Sequence, residues 1–250
     1  MKNRYLRPLL LAAQFLTSLP IQGEEQIEDA DIGRSLLWYP LVGLLIGGLL
    51  WVVAQLAEPL LPTLLIATLV VTFWVVITGA LHLDGLADSA DAWIGGFGNQ
   101  ARTLEIMKDP TCGPVGVVTL VMLLLLKVAA LHQLLETSSV IGLVLVPVCG
   151  RLGAIVLFLT TPYVRAGGLG EALANYFSRS AAWRLVAAVA ISLVVIAPLS
   201  GSSVLLVCAA VFWFMRRQMV ARLGGCTGDT VGALVEVLEL SALITLTALV

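Results

Sequence analysis

Seven stretches of this chain, near residues 36–58, 60–83, 114–136, 138–161, 183–200, 203–220 and 231–250, are apolar and long enough to cross a bilayer. A helix needs about 17–25 mostly apolar residues to do so. Lipid offers no hydrogen bonds, and a helix satisfies its backbone within one segment. The expected fold class is therefore an all-α polytopic integral membrane protein with about seven transmembrane helices. Composition agrees: 12% of the 250 residues are charged, against about 25% in soluble domains. The chain reads as a single membrane-embedded domain over 1–250, with Pro59 and Pro62 breaking the first two spans and residues 198–203 turning between the fifth and sixth.

The N-terminus imitates a signal peptide, with basic residues followed by an apolar run. Gln14 interrupts the run, and no small-residue cleavage pattern follows. Leu6, Leu9, Leu10, Ala13 and Leu16 recur at helical spacing, which predicts a helix in the membrane interface.

Basic residues set the expected orientation. The N-terminal segment holds Lys2, Arg4, Arg7 and Arg34; the loop 84–113 holds Arg102 and Lys108. Arg165, Arg179 and Arg184 lie in or beside 162–182, and Arg216, Arg217 and Arg222 in 216–230. The remaining connections have none, so the N-terminus and all the long polar segments are expected on the cytoplasmic side. Lys127 and Arg151 fall within spans, where ionisable groups face a polar interior. Lys127 suits an ion pair or a substrate contact, and Arg151 is read as functional.

Three polar motifs carry the chemistry. In LHLDGLADSADAW (81–93), Asp84, Asp88 and Asp91 share one helical face if the second span continues past the membrane. They would then lie at the helix's C-terminal end, where the dipole disfavours anions. A compensating cation is expected, and Mg²⁺ suits hard carboxylate oxygens shared with substrate phosphates. His82 adjoins them as a phosphate contact or proton carrier. In ARTLEIMKDPTCGPVG (101–116), Arg102, Glu105 and Asp109 are spaced i, i+3, i+7 with Lys108 beside them, on a helix expected to end before Pro110. An ordinary surface helix has the same pattern.

The third motif, RLGGCTGDTVGALVEVLEL (222–240), places Arg222, Gly224, Gly225, Thr227 and Gly228 before the last span. Backbone N–H groups at such a helix start favour phosphate. No Gly-Lys-Ser/Thr follows, so this is not a Walker loop; Thr227 or Asp229 also suits a helix cap. Asp229, Gly232, Glu236 and Glu239 or Leu240 share one face, which carries carboxylates into the membrane. Cys112, Cys149, Cys208 and Cys226 show no metal–thiolate or disulfide pattern. Of the two histidines, His132 is read as structural. The residues alone reach a membrane protein with a cytoplasm-facing, Mg²⁺-suited acidic site, fit for transfer of a phosphate-linked group.

HLDGLADSAD (82–91), RTLEIMKD (102–109) and GGCTGDTVGA (224–233) closely resemble the signature segments of the cobalamin synthase, or adenosylcobinamide-GDP ribazoletransferase, family. FLTSLP (15–20), YPLVGLLIG (39–47), CGRLGA (149–154) and YVRAGGLG (163–170) extend the resemblance in order along nearly the whole chain. It implies Mg²⁺-dependent joining of adenosylcobinamide-GDP to α-ribazole or α-ribazole 5′-phosphate. The products would be adenosylcobalamin or its 5′-phosphate, and GMP, formed in the bacterial or archaeal cytoplasmic membrane. On that reading Asp84, Asp88 and Asp91, with Asp229, hold Mg²⁺ on the diphosphate. Arg102, Lys108 and Arg222 offset phosphate charge, and Glu105, Asp109, Glu236 or His82 takes the hydroxyl proton. Cys112-Gly113 stands where relatives often carry His-Gly, so no role is carried onto it.

The lipid bilayer is an expected partner and nucleic acid is not. A homo-oligomer and a complex with other B12-assembly enzymes both stay open. CDP-alcohol phosphotransferases and membrane prenyltransferases also bind Mg²⁺ and diphosphate through Asp-rich motifs, and Asp84-Gly85-Leu86-Ala87 echoes the former's motif, but Asp88 stands where its Arg is expected. A transporter running through Lys127, Arg151 and Glu236 would need polar groups on both sides, and the outer loops are short and uncharged.

Overall fold

A computed structural model describes residues 6–21, 27–137, 141–167 and 169–249. Lys2, Arg4, Gly168, the start of the fourth expected span (138–140) and Val250 lie outside the described residues.

Twelve α-helices follow one another among the described residues. The N-terminal part contains α1 (Leu6–Leu16), α2 (Asp29–Ser35) and α3 (Tyr39–Ala57), with a 3₁₀ turn at Leu36–Trp38 joining the last two. Next come α4 (Thr63–Ile77), α5 (Leu81–Gly95), α6 (Gln100–Ile106), α7 (Pro114–Glu136) and α8 (Ile141–Thr160). The chain ends with α9 (Leu169–Asn175), α10 (Arg179–Ile196), α11 (Pro198–Leu223) and α12 (Gly228–Thr247). Among the described residues six runs of helix are long and apolar enough to cross a membrane, and α4 with α5, bent by 88°, makes a seventh if the pair is one span. The protein is a multi-pass membrane protein of the expected all-α class. Its N-terminal helix is present, with Ala12, Ala13 and Leu16 buried.

Burial orders the helices. In the apolar windows, 83% of α8 and 61% of α12 are buried against 11% of α10 and of α11, so the first pair forms the centre and the second pair the lipid-facing flank. Glycines let the central helices approach closely, as small residues do in membranes. A Cβ on Gly43 of α3 would lie 2.9 Å from the Pro147 carbonyl oxygen of α8. One on Gly85 of α5 would lie 2.6 Å from the Asp229 carbonyl oxygen of α12.

Two expectations need correction. The second span does not run unbroken through 60–83: α4 ends at Ile77, and Gly79 and Ala80 take left-handed φ values of 59° and 57°. The freed carbonyls find donors elsewhere. Ser18 reaches them with its backbone N–H on Ile77 (2.7 Å) and its hydroxyl on Val76 (2.7 Å). Because α5 starts anew at Leu81, Asp84 lies in its first turn. That is the end of the dipole that favours a carboxylate, the reverse of the sequence expectation. The second correction concerns 198–203, which is helical. Ala197 alone separates α10 from α11, and Pro198 opens α11 at its first position, where the missing N–H costs no helical bond.

Adjacent glycines on α3 separate packing from helix propensity. A Cβ on Gly47 would run into the Val144 backbone, whereas one on Gly48 meets nothing within 4 Å. Gly47→Ala is expected to lower stability by about 1–3 kcal/mol through overpacking, and Gly48→Ala is not. Thermal unfolding in one detergent checks the pair; equal midpoints would count against the α3–α8 contact.

Candidate active site

A cavity of about 160 Å³ lies between α1, α3, α5, α8, α9 and α12. Its open end is bordered by exposed Asp84 and half-buried Asp229, and its closed end by buried Tyr39, His82 and Arg151. The packing of α5 on α12 makes this arrangement. Gly85 admits the first turn of α12, and Gly232 sits where a Cβ would be 3.2 Å from the His82 Cα.

The acidic residues divide into two groups. Asp88 has Asp84, Asp229 and Asp91 as charged neighbours and Arg165 as the opposing cation. Arg165 pairs with Asp229 at 2.9 Å. Asp91 is tied differently: its oxygens accept from the backbone N–H groups of Gly113 (2.7 Å) and Gly116 (2.9 Å). It thus caps the start of α7 from another helix, satisfying N–H groups that have no intrahelical acceptor. Asp84, Asp88 and Asp229 remain the carboxylates near the cavity mouth. Among the described residues, no three His, Cys, Asp or Glu side chains close on a point tightly enough to enclose an ion by themselves.

The second motif stands apart from the cavity. Helix α6 stops at Ile106, so Asp109 leaves the face it was expected to share with Arg102 and Glu105. Its Oδ1 accepts from the Thr111 hydroxyl (2.6 Å) and N–H (2.9 Å), which holds the carboxyl below its ordinary range. Arg102 lies over the Phe97 ring at 5.6 Å, and Glu105 and Lys108 are exposed.

In the Gly-rich loop, most residues serve packing. Gly224 caps α11 with φ 74°, and Gly225 abuts Pro162. Cys226 bridges to Tyr163, and burial pushes its thiol up to about 12, which leaves it inert. Thr227 and Thr230 form a reciprocal capping box at the start of α12. Arg222 donates to the Trp93 carbonyl at 2.8 Å and lies over its ring. Of the loop's predicted residues, Gly228 borders the cavity.

Behind the cavity lies a buried charge network. Lys127 Nζ donates to Glu236 (2.7 Å) and Glu239 (2.9 Å), and Arg151 Nη1 donates to Glu239. Lys127 also sits 4.3 Å from the centre of the Trp74 ring. Two cations thus balance two anions, all four side chains at most 5% exposed. Glu236 is engaged with Lys127 and does not line the cavity.

The sequence matches the cobalamin-5-phosphate synthase family over residues 8–247. The chain belongs to that family. An adenosylcobinamide-GDP ribazoletransferase of Pseudomonas savastanoi pv. phaseolicola (strain 1448A / Race 6) is 55% identical over 242 residues, 97% of this chain and 99% of the relative. One of Stutzerimonas stutzeri (strain A1501) is 53% identical over 237 residues, 95% of this chain and 96% of the relative. No solved structure matches the chain. The cobalamin synthase membership settles the family against the CDP-alcohol phosphotransferase, prenyltransferase and transporter alternatives, and makes the chain a transferase of cobalamin biosynthesis.

Two residues at the cavity and its mouth carried no sequence-derived role, Tyr39 and Arg165. Both stand inside segments that resemble the family, but an aromatic at a span start and an arginine in a loop are common. Only the fold brings them to the cavity and to Asp229.

The contacts predict which acidic residues support the fold. Asp91→Ala should destabilise the protein by about 1–3 kcal/mol by leaving two N–H groups without their acceptor. Lys127→Met should cost about 3–5 kcal/mol, since buried Glu236 loses its cation. Adding Glu236→Gln to that variant should restore most of the loss. Thermal unfolding of the three detergent-solubilised variants tests this; a Lys127→Met midpoint equal to the parent would refute the charge balance.

Proposed function

We propose that this chain joins adenosylcobinamide-GDP to α-ribazole, or to α-ribazole 5′-phosphate, with Mg²⁺, and releases GMP. The observation that carries the reading is the charge at the cavity mouth. Asp84, Asp88 and Asp229 face one guanidinium, that of Arg165, which leaves a surplus of negative charge where a diphosphate must approach. A divalent cation removes the repulsion. The donors fit Mg²⁺: all are hard oxygens, and they form no closed cage. Mg²⁺ typically keeps several waters and bridges one or two carboxylates to substrate phosphates. One or two of Asp84, Asp88 and Asp229 would hold it, with water and substrate phosphate completing its shell, and it would supply Lewis-acid neutralisation of the phosphoryl oxygens.

The protein's own groups then do the rest. The nucleoside hydroxyl forms a new O–P bond at the phosphorus nearer the corrinoid, the P–O bond to GMP breaks, and the hydroxyl proton leaves. Among the sequence-predicted bases, His82 borders the cavity, whereas Glu105 and Asp109 do not, and Glu236 is paired with Lys127. Arg165 fixes Asp229 on the first turn of α12. Apolar side chains, including Phe15 and Phe158, line the inner cavity.

The setting is the cytoplasmic membrane of a bacterium or archaeon, with the acidic end facing the cytoplasm. Arg165 and Arg222 lie at that end with the carboxylates, bonded to Asp229 and Trp93, as positively charged cytoplasmic segments would.

Protein reconstituted in liposomes should release GMP only when adenosylcobinamide-GDP, α-ribazole and Mg²⁺ are all present. Asp84→Asn should lower kcat by at least about 100-fold, the scale of losing one charge-stabilising group, with an unchanged unfolding midpoint. Parental turnover by Asp84→Asn, or full turnover in EDTA, would remove the assignment.

A further inference from the structure

The closed end of the cavity is polar and incompletely paired. Arg151 is 1% exposed, Tyr39 3% and His82 6%. The Tyr39 hydroxyl and the Arg151 Nε and Nη2 groups have no hydrogen-bond partner among the described residues. Buried polar groups are normally paired, and an unpaired one calls for an explanation. The Tyr39 ring is held in place by stacking on Phe15, with centroids 6.5 Å apart. Between this end and Asp84 the walls are apolar, formed by Leu81, Phe158, Val231 and Val235.

Shape and chemistry together restrict the occupant. The volume of about 160 Å³ is close to the roughly 150 Å³ apolar cavity that admits one benzene ring, so a bicyclic base fills it and extends towards the open mouth. A corrin macrocycle is far too large. The fitting group is a flat, apolar aromatic ring with an acceptor atom at its inner edge and a polar substituent leading out to the carboxylates. The base of α-ribazole has that form: a dimethylbenzimidazole with one unsubstituted ring nitrogen, its other nitrogen bonded to the ribose.

We propose that the cavity beneath Asp84 seats the base of the nucleoside acceptor, whose free ring nitrogen accepts a hydrogen bond from the Tyr39–Arg151 donor pair. This rests on the transfer reaction proposed above and assigns acceptor specificity to Tyr39, Arg151 and the apolar wall. The ribose then points to the acidic mouth, where its hydroxyl reacts. A purine would set its additional polar edge atoms against apolar side chains, which disfavours it.

The test compares α-ribazole with the riboside of 5,6-dimethylindole, in which a C–H replaces the acceptor nitrogen. The parent enzyme should prefer α-ribazole by about tenfold in kcat/KM, the scale of one hydrogen bond. Tyr39→Phe should raise KM for α-ribazole about 5–10-fold, narrow that preference, and leave kcat and the KM for adenosylcobinamide-GDP unchanged. Its unfolding midpoint should match the parent, because the hydroxyl bonds no partner among the described residues. Val231→Phe, which fills the cavity, should raise acceptor KM by at least about tenfold with donor KM unchanged, as expected when a ring-sized space is lost.

Unchanged acceptor KM and unchanged base preference in both variants would overturn the proposal, as would a rise in donor KM instead. Equilibrium dialysis with labelled α-ribazole separates the two readings if the parent releases no GMP. Binding by the parent that is lost in Val231→Phe supports the pocket, and equal binding by both overturns it.

Discussion

The balance of four charges inside an apolar bundle constrains everything around it. Lys127 on α7, Arg151 on α8, and Glu236 and Glu239 on α12 sit on three different helices. Lipid cannot solvate any of them, and leaving one unpaired is far costlier than leaving the set complete. The pairing therefore fixes the register of α12 against its two neighbours. Once that register is set, Gly232 meets His82 and Asp229 reaches Arg165 at the open end. A single face of one helix so passes from charge balance in the interior to the carboxylate at the cavity mouth.

Much of this was legible in the sequence. The spans could be read because a bilayer imposes a minimum apolar length, and the observed helices fall close to them. The shared face of Asp229, Gly232, Glu236 and Glu239 followed from helical periodicity alone. Asp84 and Asp88 stood out as charges in an apolar chain.

What was not legible depended on partners distant in sequence. Asp84 and Asp91 look alike as letters, and only the approach of Gly113 and Gly116 shows that Asp91 caps a helix. Glycines at 224 and 225 fit a phosphate loop as well as a tight splice, and the neighbouring Pro162–Tyr163 segment decides for the splice. The break at 78–80 escaped because apolar residues continue on both sides of it. Its carbonyls are satisfied from residue 18, beyond the reach of any local pattern.

That last contact bears on how the protein is made. Ser18 leaves the ribosome nearly sixty residues before the Val76 and Ile77 carbonyls it must meet. The first helix, which supplies Phe15 and Leu16 to the cavity wall, therefore has to wait at the membrane until two further apolar segments have entered. Completion of the pocket is thereby a late event in synthesis, later still once α12 arrives. A nascent chain has a bilayer address well before its cavity is enclosed.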